Sequence, residues 1–358
     1  MRRSSMRKIL PLMILIVFAS SLCLAAEYPS LYKGFRPKGM GGAFVAVSND
    51  ANALFYNPAG LADIENIQAS IFGIEIEVGK NTTGLIKDAL DTDFGNATES
   101  AQFLRDHMGD SSHLGLAIVP NYSMPRFALT ILGTGRMDME VRDRQYPKLD
   151  VNVISDIGLG AGYAHPFLEN NLLVGASAKY IHRQSLTQEY TVADLSDKLS
   201  DTIKDDLKKG NGILVDLGVM YKLSKFEFAN SRVGISANNL IGGGLGDAAD
   251  ATQHVDIGYA QDVDLKFTNA TFAIDYVDIF NQFKQDSDIA KRLRLGVECK
   301  FLDVINVRAG LYQGYLTAGL NLEARIVRLD LLTYAEEVGA YAGQRVDRRY
   351  AGRFVFGF

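Results

Sequence analysis

Five histidines, His107, His113, His165, His182 and His254, are the residues best suited to acid–base or metal chemistry. No two of them stand at the spacing of a metal-binding pair. His254 and Asp256 fall on one face of an alternating run, where they can form an acid–base pair or simply satisfy one another. No Gly-x-Ser-x-Gly elbow and no triad pattern accompanies them. The cluster Gly39-Met40-Gly41-Gly42 has the density of a phosphate loop, but no Lys-Ser/Thr follows it. These residue types predict no enzyme, no cofactor and no metal.

The elements around them point elsewhere. Residues 1–26 read as a cleaved secretory signal peptide: Arg2, Arg3, Arg7 and Lys8 precede an apolar run from Ile9 to Leu24 that ends in Ala25-Ala26. Cys23 follows the bulky Leu22, which argues against lipoprotein processing. Loss of the four cations takes the formal charge from −5 to −9, so nucleic acid is not an expected partner. Cys299 then remains as the one cysteine, which excludes an internal disulfide. No other stretch is apolar for long enough to be a transmembrane helix.

From about residue 66 the hydrophobic period is two. Leu293, Leu295, Val297, Cys299 and Phe301 alternate with Arg292, Arg294, Gly296, Glu298 and Lys300. One face is apolar and the other is polar or glycine. Fourteen such segments run from 66–79 to 347–358, the second and third near 111–119 and 123–134. Most have the length of a strand that crosses a bilayer at a tilt, ~9–11 residues. Long gaps, among them 80–110, 135–149, 188–210 and 241–251, alternate with tight turns. The predicted fold is all-β: a transmembrane antiparallel β-barrel of fourteen strands over residues 66–358, with both ends on the short-turn, periplasmic side.

Charges of both signs sit on the inward-facing positions: Asp156, Lys179, Asp216, Arg232, Asp256, Asp275, Arg294, Glu298, Arg308, Arg328, Asp330 and Arg353. They can hold a plug by ion pairs or line a wet lumen. Two long loops, 84–107 and 192–209, have helical periodicity. In the second, Val192, Leu195, Leu199, Ile203 and Leu207 make an apolar stripe, either a solvated cap or a vestibule that collects a greasy ligand. Tyr163, Tyr180, Tyr221, Tyr259 and Tyr276 lie near strand ends and can supply an interfacial girdle in a chain without tryptophan.

Residues 27–65 lack the alternation. Gly39, Gly41 and Gly42 allow close backbone approach. Asn57 and Pro58 suit a helix start, Gly60 permits tight packing, and Ala59 to Ile64 would be the short helix. A fourteen-strand barrel is wide enough to need such a segment as filler.

Two stretches carry a resemblance. Gly39 to Ala62, GMGGAFVAVSNDANALFYNPAGLA, resembles the N-terminal signature of the FadL-type outer-membrane proteins and the related PorV/PorQ group. The final strand, with Tyr350, Phe354, Phe356 and Phe358 on one face, resembles the signal read by the outer-membrane barrel assembly machinery, although Gly352 is one place out of register with it. The first resemblance implies a hatch over 27–65, with Asn57, Pro58 and Ala59 within it. It implies passive, hatch-gated uptake of a hydrophobic small-molecule ligand, such as a long-chain fatty acid or an aromatic hydrocarbon. The alternative is a PorV-like barrel that docks a secreted or surface protein. The implied setting is the outer membrane of a Gram-negative bacterium, among its lipid and lipopolysaccharide.

Overall fold

The computed structural model describes residues 30–358, except 144, 196–204, 224–228, 266–267, 284–287 and 303. The expected leader, and Leu199 and Ile203, lie outside the described residues. Alternation produces the strands β1 (Gln68–Gly79), β2 (Ser111–Ile118), β3 (Asn121–Met124), β4 (Phe127–Arg142), β5 (Lys148–Phe167), β6 (Leu172–Thr191), β7 (Lys208–Lys222) and β8 (Ala229–Ile241). They continue as β9 (His254–Leu265), β10 (Thr268–Tyr276), β11 (Leu293–Phe301), β12 (Ile305–Tyr312), β13 (Tyr315–Ala324), β14 (Val327–Glu337) and β15 (Val346–Gly357). Apart from β2 and β3, which do not pair with each other, each pairs antiparallel with its neighbours in sequence order, and β15 returns to β1. The sheet is closed, so it has no free edge. β2 and β3 occupy one place in the wall, between β1 and β4. The barrel therefore has fourteen strand positions, as the periodicity predicts.

The outer surface is apolar along every wall segment, with Ile76, Leu116, Leu159, Leu217, Ile257, Phe272 and Leu331 among its exposed side chains. Phe354, Phe356 and Phe358 belong to it, as do Tyr163, Tyr180, Tyr221 and Tyr259. Alternate residues turn inward and are polar, small or glycine. The long connections share one rim and the short ones, with Phe358, share the other, whereas Ser30 lies inside the barrel in one void lining with Glu77 and His113.

Two boundaries differ from the sequence reading. Residues 121–124 close the preceding strand instead of opening the next, and the hairpin turns at Pro125-Arg126, where Arg126 has φ 74°. Pro120 imitates a turn in the sequence because it breaks the ladder within a strand position. The gap expected over 135–149 is mostly strand: β4 runs to Arg142 and β5 begins at Lys148. With β5 and β6 at 20 residues each, these strands project past the rim, since ~9–11 residues suffice to cross a bilayer.

Candidate functional site: the lumen and the segment across it

The wall does not close on itself internally; its inward groups close on residues 30–65. Three short turns order that segment: a helix at Phe35–Gly39 and 3-10 helices at Ala51–Leu54 and Pro58–Asp63. Asp50 caps the second and Asn57 the third, through the amides of Asn52 and Ala59. Asn57 is fully buried and also donates from Nδ2 to the carbonyl of Val45 at 2.8 Å, tying two turns together. Pro58 fills the first helical position, as its missing N–H permits.

Glycines allow the close approach. A Cβ at Gly60 would lie 1.7 Å from the carbonyl oxygen of Ser48. Gly41, at φ 63°, lies against the backbone of Leu295 and Leu311. The wall answers with glycines of its own. A Cβ at Gly175 would meet the Pro58 carbonyl at 2.3 Å, one at Gly218 the Asn57 Oδ1 at 2.0 Å, and one at Gly296 the Met40 carbonyl at 2.4 Å. Gly39 is less crowded: its carbonyl accepts from Thr317 Oγ1 at 3.0 Å. Ala59 packs with Leu173 and Met220.

Ion pairs then fix the segment to the wall. Arg36 reaches Glu298 with two nitrogens, Nε to Oε2 at 3.0 Å and Nη2 to Oε1 at 2.8 Å, and Asp50 at 3.0 Å. Burial works against its charge; Glu298 and Asp50 outweigh that and hold the guanidinium above its ordinary range. Lys33 pairs with Glu336 at 2.5 Å, Lys38 with Glu77, and Asp63 with Lys222. Asp275 accepts the backbone amides of Phe44 and Val45, at 2.5 and 2.8 Å. Tyr32 donates to Glu75 at 2.7 Å; burial, and then that carboxylate, hold its phenol well above the ordinary value.

The inward charges named from the sequence fall into this network. Arg308 bridges Glu298 at 2.6 Å and Asp330 at 3.4 Å, and Arg353 joins Asp330 at 2.8 Å. Lys179 pairs with Asp216 and donates to the Leu54 carbonyl at 3.3 Å. Arg232 donates to the Ala46 carbonyl at 3.0 Å and pairs with Asp262 at 2.7 Å. Asp156 holds Arg183 through both oxygens, at 2.7 and 2.8 Å. Asp256 accepts from Asn238 at 3.2 Å, with His254 at 3.5 Å. Arg294 stacks over Tyr312 at 3.9 Å. Arg328 stands nearer the rim and pairs with Glu323 at 3.3 Å. The sequence reading missed Arg36, Lys33, Lys38, Glu75, Glu77, Arg183 and Arg349. The strand members were visible as alternate charges in β1, β6 and β15. The segment's own charges carried no periodic signal.

Beneath the segment, toward the short-turn rim, lies a cavity of about 830 Å³. Its lining is polar, with Arg36, Asp50, Glu75, Glu298, Arg308 and Arg353 among it. Among the described residues, no three His, Cys, Asp or Glu side chains gather as a metal site.

Known structures with the same architecture can be set beside this geometry. The toluene transporter TbuX of Ralstonia pickettii superposes with a TM-score of 0.51 at 12% identity, covering 91% of this chain and 97% of its own. The TodX deltaS2S3 mutant, a monoaromatic hydrocarbon channel, gives 0.52 at 11% identity, with 91% and 98% covered. A FadL homologue of Pseudomonas aeruginosa gives 0.47 at 11%, with 92% and 98% covered. The chain shares the fold of TbuX and TodX. A family profile described as "F plasmid transfer operon, TraF, protein" matches residues 133–288. No curated protein sequence matches the chain.

Two further features complete the lumen. The β1 ladder lapses on one side: residues 75–78 pair with β2 and 68–70 with β3, and Ile71–Ile74 have no register partner in Ile118–Pro120. An apolar cluster reaches this break from within. It joins Tyr32, Ala117, Val119, Leu132, Ile181, Leu214, Leu245, Ala248 and Ala251, with Leu31 and Phe55 against it. Above the long-loop rim a second cluster packs helices Thr82–Asp91 and Ala97–Asp106 on the projecting strands through Leu85, Leu104, Val151 and Leu186. Leu195 is buried in it, and Val192 and Leu207 pack against it. These three members of the expected collecting stripe are thus spent on internal packing.

Proposed function

We propose that the protein is an outer-membrane barrel for passive passage of small hydrophobic compounds, with residues 27–65 as its hatch and the long-loop rim outside the cell. In this reading residues 1–26 direct export, the C-terminal aromatics guide insertion by the barrel assembly machinery, and the inward charges seat the hatch. The observation that carries it is the apolar cluster from Leu245 to Val119, which ends where the wall ladder lapses beside Pro120. An apolar solute gains by leaving water at every point of that path, and the break offers it the bilayer without crossing the charged cavity below. The shared fold with TbuX and TodX, a toluene transporter and a monoaromatic hydrocarbon channel, supports the same class.

Lipopolysaccharide is the barrier that makes such a protein useful, so the test belongs in cells that retain it. Removal of the barrel should lower the initial rate of labelled toluene uptake, and restoring it should recover the rate. Equal rates with and without the barrel overturn the reading.

A second reading has its own observation. The TraF profile covers 133–288, which includes most of β4 and the projecting strands β5 and β6. A projection of that height suits a barrel that docks a secreted or surface protein. Stoichiometric co-purification of such a protein, with no effect on toluene uptake, would favour it.

A further inference from the structure

We infer that the outer loop 242–253 is a stopper, and that Leu245 occupies the place in the lumen that a small apolar solute must take. This rests on the transport reading above. The loop does not arch away from the rim; it folds inward. Leu245 is fully buried in the cluster that includes Ile181, Leu214 and Leu132. The neighbouring wall is cut back to receive it: a Cβ at Gly210 would lie 1.4 Å from the Leu245 carbonyl oxygen, and one at Gly212 would lie 2.5 Å from its Cδ2. Gly242 takes φ 82° to start the inward turn, and Ala251 N–H closes it on the Gly243 carbonyl at 2.8 Å.

The polar contacts that seat the loop are few. Arg183 Nη1 donates to the carbonyls of Ala249 and Asp250 at 3.1 and 3.4 Å, and the Ala249 amide donates to Ser185 Oγ at 2.8 Å. Asp156 holds Arg183 in place. The loop's own bonds, Leu245 N–H to Asp250 at 3.4 Å and Ala248 N–H to the Leu245 carbonyl at 3.2 Å, move with it. It can therefore lift about its base at 252–253, where Thr252 and Gln253 stay bonded to Asn239 and Leu240, giving up those three hydrogen bonds and the burial of Leu245, Ala248 and Ala251. A void of about 70 Å³ adjoins this cluster through Leu31, Tyr32 and Ala117, and its other walls are charged, with Lys38, Glu77 and Arg136 among them. The place of the leucine side chain, with the edge of the void against Leu31 and Ala117, suits one small ring or a short alkyl group. An apolar solute that replaces Leu245 restores the contacts that the leucine gives up, so exchange costs little and selects by size.

The loop can be locked by pairing Ser185→Cys with Ala249→Cys in a Cys299→Ser background, since the existing contact brings these backbones together. In cells with intact lipopolysaccharide, the oxidised lock should reduce toluene uptake to the rate of cells without the barrel. A reductant should restore it, and Leu245→Ala should raise the rate several-fold. Parental uptake by a verified, oxidised lock overturns the stopper while leaving the transport reading intact. Equal uptake by parent and barrel-free cells overturns the transport reading. A second measurement reads the loop alone: in purified barrel, a Leu245→Cys, Cys299→Ser variant should be slow to react with a maleimide and several-fold faster under saturating toluene. A rate that toluene leaves unchanged overturns displacement of the loop by solute.

Discussion

Arg36 and Glu298 are 262 residues apart in sequence and meet in a two-pronged ion pair inside the barrel, at 2.8 and 3.0 Å. Glu298 is fully buried and has Arg308 as its second partner. Removing Arg36 leaves a half-neutralised carboxylate and unseats the turn that bears it. Breaking a buried pair from one side costs about 3–5 kcal/mol, and the remaining Arg308 argues for the lower end. Arg36→Met should loosen the segment and raise leak conductance in planar bilayers, while the barrel keeps its heat resistance on gels. The double variant with Glu298→Gln should leak less than Arg36→Met alone, because the fully buried position then carries no charge to strand. Conductance at the parental level in Arg36→Met would show that this pair does not seat the hatch.

Gly218 makes the docking of Asn57 testable from the wall side. In a strand, Gly to Ala ordinarily helps, since Gly weakens strand interiors. Here the new Cβ would stand 2.0 Å from Asn57 Oδ1. Gly218→Ala should therefore expose residues 30–65 to added protease without lowering the melting point of the wall. Protection equal to the parent would mean that the segment does not dock where the contacts put it.

Asn57 itself caps one turn and bonds to another. Loss of a cap alone costs about 1 kcal/mol, and loss of the Val45 contact adds an unsatisfied buried carbonyl. Asn57→Ala combined with Pro58→Ala should raise leak conductance, though less than Arg36→Met, since no charge is stranded. A leak no greater than the parent's would remove both residues from the gating role.

Much of this is legible in the sequence, and the physical reason is periodicity. A wall that faces lipid outside and water or polar groups inside writes an alternation into every strand, so Leu293 to Phe301 declares its faces without a partner. Even the wall glycines were visible as members of the inward face, Gly258, Gly296 and Gly310 among them. What alternation cannot give is the identity of the other side: the partner of Gly296 is Met40, and no local pattern joins them. Pro120 misled because a proline within a strand position looks like a turn. Val192, Leu195 and Leu207 were legible as part of an amphipathic stripe but not as packed, since helices 82–91 and 97–106 supply the far side of their cluster. Leu245 passed unremarked because one leucine among glycine, alanine and aspartate has no period.

Phe358 closes the cylinder. Its amide donates to the Ala69 carbonyl at 2.9 Å, and its carbonyl accepts the Ala69 amide at 2.6 Å, so the last residue is bonded to the first strand. Its ring faces outward with those of Phe354 and Phe356. Deletion of Phe358 should cut the amount of folded barrel in the outer membrane. Phe358→Ala keeps both backbone bonds and should lose assembly rate while retaining the melting point of whatever folds. Pulse labelling followed by heat-shift gels separates the two effects. Equal rates for parent and Phe358→Ala would limit this residue to closure.

On the proposed transport reading, Pro120 is the residue on which a side exit turns. It lacks the N–H that would extend the ladder, and its carbonyl already accepts the Ile131 amide at 2.9 Å on the β4 side. On the β1 side, Ile71–Ile74 are left without register partners. Pro120→Thr restores a donor on the β4 side, beside the carbonyl that already bonds Ile131, and frees φ for a strand-forming residue, so the strand can run unbroken from β2 into β3 and come level with β1. The variant should be at least as stable as the parent and should conduct ions no differently. Its toluene uptake in cells with intact lipopolysaccharide should fall, because the apolar path would end at a closed wall. A more stable barrel with unchanged uptake would place the exit elsewhere, through the hatch and the charged cavity beneath it.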